Sequence, residues 1–339
     1  MQPKFGPSVR MQAMKAIILA AGYGERLWPL TADRTKPALP VLGKPLVGYV
    51  AEYVAGFGIK EVVVNLHHHP DSVRRSLGDG RQFGVALEYV HEPVILGTSG
   101  ALDNARNLLE NDTFVVVNGK LITDLDLDAA LDEHRRRNAL ATLVLRRNDK
   151  FERFSFVEVN DGLVSRFAGM PSRESWQSND PPLMFTGIHI MEPRIFDYIP
   201  RGVFSDTVLD VYPQAIAKGE RILGHVADGM WYELSTLQRY LDISLALLRR
   251  NGDDVYAGRG SSIDAQAKVR NSILWDEVTI EPGARVSGSI LGDGVRVRGT
   301  ESVENAVIVR AEVVAGRKIP AKALPGEVTG DNFVVRLSQ

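Results

Sequence analysis

Along the first two thirds of the chain, short apolar runs alternate with stretches of helical spacing. The runs Ala16–Ala20, Glu61–Leu66, Ala86–Val90, Thr113–Val117 and Leu140–Leu145 have the length and β-branched content of strands. Between them, Pro45–Phe57 predicts a helix that opens on a proline, which suits a first helical position. Thr98 is placed to cap a helix over Ser99–Leu109, and Asp126–Arg137 carries apolar residues at helical spacing. From Phe154 to Ile190 the pattern reads as further strands with antiparallel pairing, followed by helices near Ser205–Ala217 and Thr236–Arg249. Such alternation predicts an α/β architecture: a Rossmann-like mixed, mostly parallel sheet covered on both faces.

After Asn251-Gly252 the period changes. Apolar residues recur at Ile263, Val269, Leu274, Ile280, Val286, Leu291, Val297, Val303 and Val309, in steps of 6, 5, 6, 6, 5, 6, 6 and 6. Spacing near six puts one inward side chain on each short rung of a triangular parallel β-helix of about three coils. The expected division is therefore an extension over residues 1–13, an α/β domain over 14–252 and a β-helix over 253–339. Stacked coils also predict a homo-oligomer joined through that half.

Composition narrows the chemistry. Lys and Arg (40) nearly balance Asp and Glu (42), so no overall field favours nucleic acid or an anionic membrane. The chain has no cysteine, which excludes disulfides, thiolate nucleophiles and cysteine-ligated metals. No apolar run approaches a membrane span, and residues 1–13 lack the apolar segment of a signal peptide. The expectation is a cytoplasmic protein with no membrane and no nucleic-acid partner.

The candidate chemistry lies in Lys15–Leu46. A strand ends in Ala20-Ala21-Gly22-Tyr23-Gly24, where small residues let backbone N–H groups approach an anion. Leu27 stands where a dinucleotide fingerprint needs its third glycine, and no Lys-Ser/Thr pair follows at P-loop spacing. Arg26 and Lys36 instead place two cations on the same loop, a combination suited to neutralising a triphosphate under in-line attack.

The string "LAAGYGERLWPLTADRTKP" resembles the signature of the sugar-1-phosphate nucleotidylyltransferases, with most similarity to the mannose-1-phosphate guanylyltransferase branch. "EPVILGTSGAL" (Glu92–Leu102), "FTGIHIMEP" (Phe185–Pro193) and "WYELSTLQRYL" (Trp231–Leu241) resemble further segments of that family, in which a C-terminal left-handed β-helix is common. The resemblance implies that the phosphate oxygen of a sugar 1-phosphate attacks the α-phosphorus of an NTP. Leu19, Ala20, Ala21, Gly22 and Gly24 would hold the nucleotide, with Glu92, Gly97 and Thr98 bordering base and ribose. Arg26 would bind the departing phosphates and Lys36 the α-phosphate, while Asn118, Gly187 and Glu233 would lie on the sugar side.

Several positions depart from that pattern. "FVVVNGKLITDLDL" (Phe114–Leu127) carries Lys120 where the family has the aspartate that binds Mg²⁺. An ammonium cannot ligate a cation and repels it at a few ångströms. Asp124 and Asp126 do not replace it, because "TDLDL" follows the family's Asn-Gly-Asp as well. The second metal-side aspartate is Glu233, and Gly169-Met170-Pro171 replaces the Glu-Lys-Pro whose lysine grips the sugar phosphate; Ser155 stands for a sugar-side glycine. Three readings follow: a transferase, in which Mg²⁺ is held by Glu233 and the phosphates or Lys120 itself supplies part of the positive charge; a nucleotide-binding regulatory homologue without turnover; or a primarily structural role for the assembled β-helix. GTP and mannose 1-phosphate lead as substrates. His67-His68-His69 reads as a loop following a strand rather than a metal site, since adjacent side chains of an extended segment point apart.

Overall fold

The computed structural model describes residues 14–170 and 172–337; the expected extension over residues 1–13 lies outside the described residues. Contacts divide the chain into two compact units that do not follow its linear order. Unit 1 comprises the chain up to Ala21 with Val47–Pro70 and Leu77–Trp231. Unit 2 comprises Gly22–Leu46, Asp71–Ser76 and the chain from Tyr232 onward.

Unit 1 is built on nine strands: β1 Lys15–Leu19, β2 Glu61–Leu66, β3 Ala86–His91, β4 Phe114–Asn118, β5 Ala141–Arg147, β6 Phe156–Asn160, β7 Leu163–Ala168, β8 Leu183–Met191 and β9 Ile222–Val226. Their order is β3-β2-β1-β4-β8-β5-β9-β7-β6. The first four run parallel; β2, β1 and β4 carry the near-continuous apolar sequences of strands buried on both faces, while β3 at the edge is partly exposed. The sheet is mixed because β8 runs against both β4 and β5. Parallel pairing returns between β5 and β9, and β7 and β6 close the edge as an antiparallel hairpin. Ile17, Val63, Phe114, Val116, Leu143, Leu145, Ile222 and Tyr212 share one buried core.

Helix boundaries correct the sequence reading in two places. Pro45 does not open a helix; it ends the two-residue strand Lys44–Pro45, and the helix runs Leu46–Gly56. Thr98 is not a cap. The helix spans Gly97–Asn104 with Leu96 at its N-cap, and a second short helix covers Arg106–Leu109. By contrast Asp126 caps Leu127–Arg136, accepting from the N–H groups of Asp128 and Ala129. Thr236 caps Leu237–Leu248 through the Arg239 N–H. Near 205–217 a π-helical turn, Thr207–Val211, precedes the α-helix Tyr212–Ala217.

In unit 2 the coils form three parallel sheets. One stacks Val255–Ala257, Ser272–Leu274, Ile290–Leu291 and Ala306–Arg310. The second stacks Ser262–Ile263, Thr279–Ile280 and Arg296–Val297, and the third Lys268–Arg270, Arg285–Ser287 and Ser302–Glu304. Neighbouring rungs pair at an offset of 17 residues, which is the sum of steps of 6, 6 and 5. Register therefore pairs Leu291 with Ile308, not Val309, and Ile308 belongs to the coil core. The first expected core position, Ile263, is exposed because it lies on the outermost rung of its sheet. The strands Glu327–Thr329 and Asn332–Arg336 finish the stack as an antiparallel hairpin on Ala306–Arg310. Among the described residues no helix is long and apolar enough to cross a membrane.

Candidate active site

In unit 1 the strand order reverses at β1, whose neighbours β2 and β4 connect in opposite directions. Open α/β sheets bind ligands beyond the carboxyl ends of strands at such a switch point. The strand ends there are Leu19 and Asn118, which are register partners. The Gly119 N–H donates to the Leu19 carbonyl at 2.9 Å, and a Cβ on Gly119 would stand 2.8 Å from that oxygen. Only glycine lets the chain turn so close to β1. Lys120 completes the two-residue turn before the strand Leu121–Thr123 and is half-buried.

Gly187 lies within a bulge of β8, between Phe185 and His189, with φ +84°. A Cβ there would sit 2.3 Å from Asn118 Nδ2, so the bare backbone of Gly187 makes room for the Asn118 amide. Behind it the Trp231 indole N–H donates to the Thr186 carbonyl at 2.9 Å, and Phe154 packs edge-on against the indole. Trp231 is thus a buried wall of unit 1.

A buried polar chain joins the neighbouring strand ends. The Ala20 N–H donates to Asn65 Oδ1 (2.7 Å), and Asn65 Nδ2 donates to Glu92 Oε1 (2.6 Å). Glu92 Oε2 accepts the Leu96 N–H at 3.1 Å, at the residue before Gly97. Asn65 and Glu92 are 3% and 1% exposed, so both carboxylate oxygens of Glu92 are spent on the fold of the loop. The Gly97–Asn104 helix start is likewise occupied: the Ser205 carbonyl accepts the N–H groups of Ser99 and Gly100. The Thr98 hydroxyl donates to Asp206 Oδ2 and accepts the Thr207 N–H. Glu92 and Thr98 hold the loop's shape, and Gly97, at φ +76°, is bare because a Cβ there would stand 2.4 Å from the Ser205 carbonyl oxygen.

In unit 2 the glycine loop is built around Thr35. Its hydroxyl donates to the Gly22 carbonyl at 3.1 Å, and its N–H donates to Ser72 Oγ. Gly24 (φ +70°) starts the 3₁₀ turn Glu25–Leu27 and stands against Lys36, whose Cβ would be 3.0 Å from a Cβ on Gly24. A Cβ on Gly22 would meet nothing within 4 Å, so the backbone there is open to approach. Gly22 and Arg26 are exposed and Lys36 half-buried. Glu233 is buried at the end of the strand Trp231–Glu233, and its carbonyl accepts Arg239 Nε.

The residues of the 118–126 segment do not fit a bound Mg²⁺, which needs hard oxygen donors. Position 120 offers an ammonium; Asp124 Oδ1 accepts the Met230 N–H at 2.6 Å, and Asp126 caps a helix. Among the described residues no three His, Asp or Glu side chains cluster to hold an ion. The histidine triplet 67–69 does not point apart as an extended segment would: His69 has φ +45° and its ring lies 4.1 Å from that of His68, while His67 Nδ1 contacts the Glu92 carbonyl at 2.8 Å.

Sequence patterns do not single out Asn65 and Ser205. Asn65 carries the one usable signal, a polar residue inside the apolar run Glu61–Leu66.

Residues 15–250 match the nucleotidyl transferase family, and residues 252–321 match the GlmU-like C-terminal hexapeptide family. A UTP–glucose-1-phosphate uridylyltransferase from Synechocystis is 29% identical over 318 residues, spanning 87% of this chain and 80% of that protein. A mannose-1-phosphate guanylyltransferase from Mycobacterium tuberculosis is 29% identical over 295 residues, spanning 83% and 80%. An N-acetylmuramate alpha-1-phosphate uridylyltransferase from Neisseria meningitidis is 34% identical over 237 residues, spanning 67% and 95%.

Proposed function

The chain belongs to the nucleotidyl transferase family, as a sugar-1-phosphate nucleotidyltransferase, and from that premise we propose that it moves a nucleotidyl group from GTP to mannose 1-phosphate. The attacking oxygen belongs to the sugar phosphate and is already anionic, so the protein supplies no nucleophile or base. That oxygen bonds to the α-phosphorus as the bond to the β-phosphate oxygen breaks, and pyrophosphate leaves with the electron pair. What the protein contributes is position and positive charge.

In this reading Leu19, Ala20, Ala21, Gly22 and Gly24 cradle the nucleotide with backbone, and Gly97 borders the base. Arg26 neutralises the leaving phosphates, and Lys36 the α-phosphate. Asn118, Gly187 and Glu233 face the sugar. The observation that carries the assignment is the switch point at Leu19 and Asn118, with Lys120 in the turn that follows. Lys120 then brings one of the positive charges that the reaction needs, from a position where an aspartate would need a cation to do so. Two relatives of equal identity differ in base, so similarity alone does not choose it. Guanine is favoured because "EPVILGTSGAL" lacks a Gln-Pro pair.

Lys120 also supports a second reading, a nucleotide-sugar-binding homologue that has lost turnover. A pyrophosphate-release assay across NTPs and sugar 1-phosphates separates the two. The proposed reading expects the fastest release from GTP with mannose 1-phosphate. Absence of release from every pair, with GDP-mannose still bound, supports the second. We also place the chain in the cytoplasm as a homo-oligomer stacked through its coils, a state that light scattering measures.

A further inference from the structure

The loop that carries Arg26 and Lys36 belongs to the same compact unit as the coils, not to the unit that holds the large sheet. Its hold on the coils runs through the residue two before Lys36. Arg34 Nη2 donates to Asp293 Oδ2 at 2.8 Å, and the guanidinium lies over the Trp275 ring, 5.1 Å from its centre. Its Nε and Nη2 also donate to both oxygens of Asp33. Burial alone would lower the Arg34 pKa, but Asp33 and Asp293 outweigh it and hold the guanidinium charged.

Asp293 is itself fixed by the coil stack. Its Oδ1 accepts the Asp276 N–H at 3.2 Å, one coil earlier, and Asp276 in turn pairs with Arg259 at 2.8 Å. Trp275 donates its indole N–H to the Tyr240 hydroxyl at 2.9 Å, and that hydroxyl donates to the Pro40 carbonyl further along the loop. Beside these contacts lies a cavity of about 350 Å³ lined by Gly43, Tyr256, Trp275, Asp276 and Asp293. Loop and coils are therefore not in continuous apolar contact here, and named polar contacts hold them.

We propose that Arg34, Asp293 and Trp275 form a positioning latch through which the β-helix fixes the triphosphate-contacting loop. The connection is short. Arg34 seats on the coils, Thr35 next to it holds the Gly22 carbonyl, and Lys36 follows beside Gly24. The coil half thus sets the geometry of nucleotide binding as well as any assembly. The latch rests on the reading of Arg26 and Lys36 as triphosphate contacts for its kinetic consequence, and on the loop's own hydrogen bonds for its structural one.

The test uses the full chain carrying Asp293→Ala, with Asp293→Glu as the conservative control. The KM for NTP is expected to rise about tenfold in Asp293→Ala while the KM for sugar 1-phosphate stays within twofold, and Asp293→Glu recovers most of the loss. Amide hydrogen exchange supplies a second readout that needs no turnover. The Leu27, Trp28, Ala32, Ala38 and Leu39 amides, each bonded within the loop, are expected to exchange at least tenfold faster in Asp293→Ala. Coil amides such as Ile273 and Thr279 are expected to keep their rates. Unchanged loop exchange, equal acceleration of loop and coils, or equal rises in both KM values overturns the latch. If the wild-type chain turns over no substrate pair, the functional reading fails by itself, and the exchange pattern alone upholds or overturns the latch.

Discussion

Asn118 rests against the bare Cα of Gly187: a Cβ added there would stand 2.3 Å from the amide nitrogen. The contact joins the end of β4 to the bulge of β8, two strands that neighbour each other in the sheet. Gly187→Ala would push Asn118 aside and force a non-glycine residue to φ +84°, at a cost of about 1–3 kcal/mol. Steady-state kinetics should show kcat/KM for the sugar 1-phosphate lowered about a hundredfold, with the KM for NTP little changed.

Glu92 makes a separate prediction. Its two oxygens accept from Asn65 and from the Leu96 N–H, and Gln at this position can offer only one acceptor oxygen. Glu92→Gln should cost about 1–3 kcal/mol of stability by thermal unfolding. It should also raise the KM for NTP, because the Leu96–Gly97 turn loses its tether. An unchanged melting temperature would contradict this placement of Glu92.

Much of this architecture was legible in the sequence. Glu61–Leu66 is a strand to the residue, and the steps of 6 and 5 give the 17-residue coil. Ile308 and Val309 are adjacent and both apolar, so spacing alone does not tell them apart; only the register with Leu291 does. Thr98 looked like a cap because a threonine preceded a helical pattern, but the Ser205 carbonyl, about a hundred residues away in sequence, already takes those amides. Asn65 and Gly119 act through chains brought together by parallel pairing, which local patterns do not encode. Lys120, Arg26 and Lys36 stand out in the sequence because each sits in a short string with its own chemistry, and their roles belong to the proposed function.

Within the coils one corner uses the left-handed region at Gly260, Glu277 and Gly294, spaced by the coil repeat. Glu277 has φ +63° where its two counterparts are glycine. A side chain in that region costs about 1–2 kcal/mol, more than the about 0.4–1 kcal/mol of extra unfolded-state entropy that glycine brings. Glu277→Gly should therefore raise stability by about 0.5–1 kcal/mol, read by calorimetry.

His189 predicts a pH dependence. It is buried with Nδ1 at 2.6 Å from the Tyr212 hydroxyl, and burial pushes its pKa down to about 3 from the ordinary 6.5. Between those values the unfolded chain binds a proton that the folded chain does not. Stability from this group is therefore complete above pH 6.5 and is lost as pH falls toward 3. By pH 5.5 the loss is about 1.4 kcal/mol. His189→Asn should flatten that part of the stability profile in denaturant titrations at pH 7.5 and 5.5.

In the proposed function Lys120 is a protein cation serving where an aspartate would recruit a metal. Lys120→Met should lower kcat about 10²–10³-fold while nucleotide binding by calorimetry changes little. The most direct measurement is the rate of pyrophosphate release by the wild-type chain from its preferred substrate pair, with divalent ions present and then removed by excess chelator. At least about a tenth of the rate should survive chelation, and Lys120→Asp should lose this remainder. A wild-type rate that falls to background in chelator, or a Lys120→Asp variant as active in chelator as the wild type, would contradict this role of Lys120.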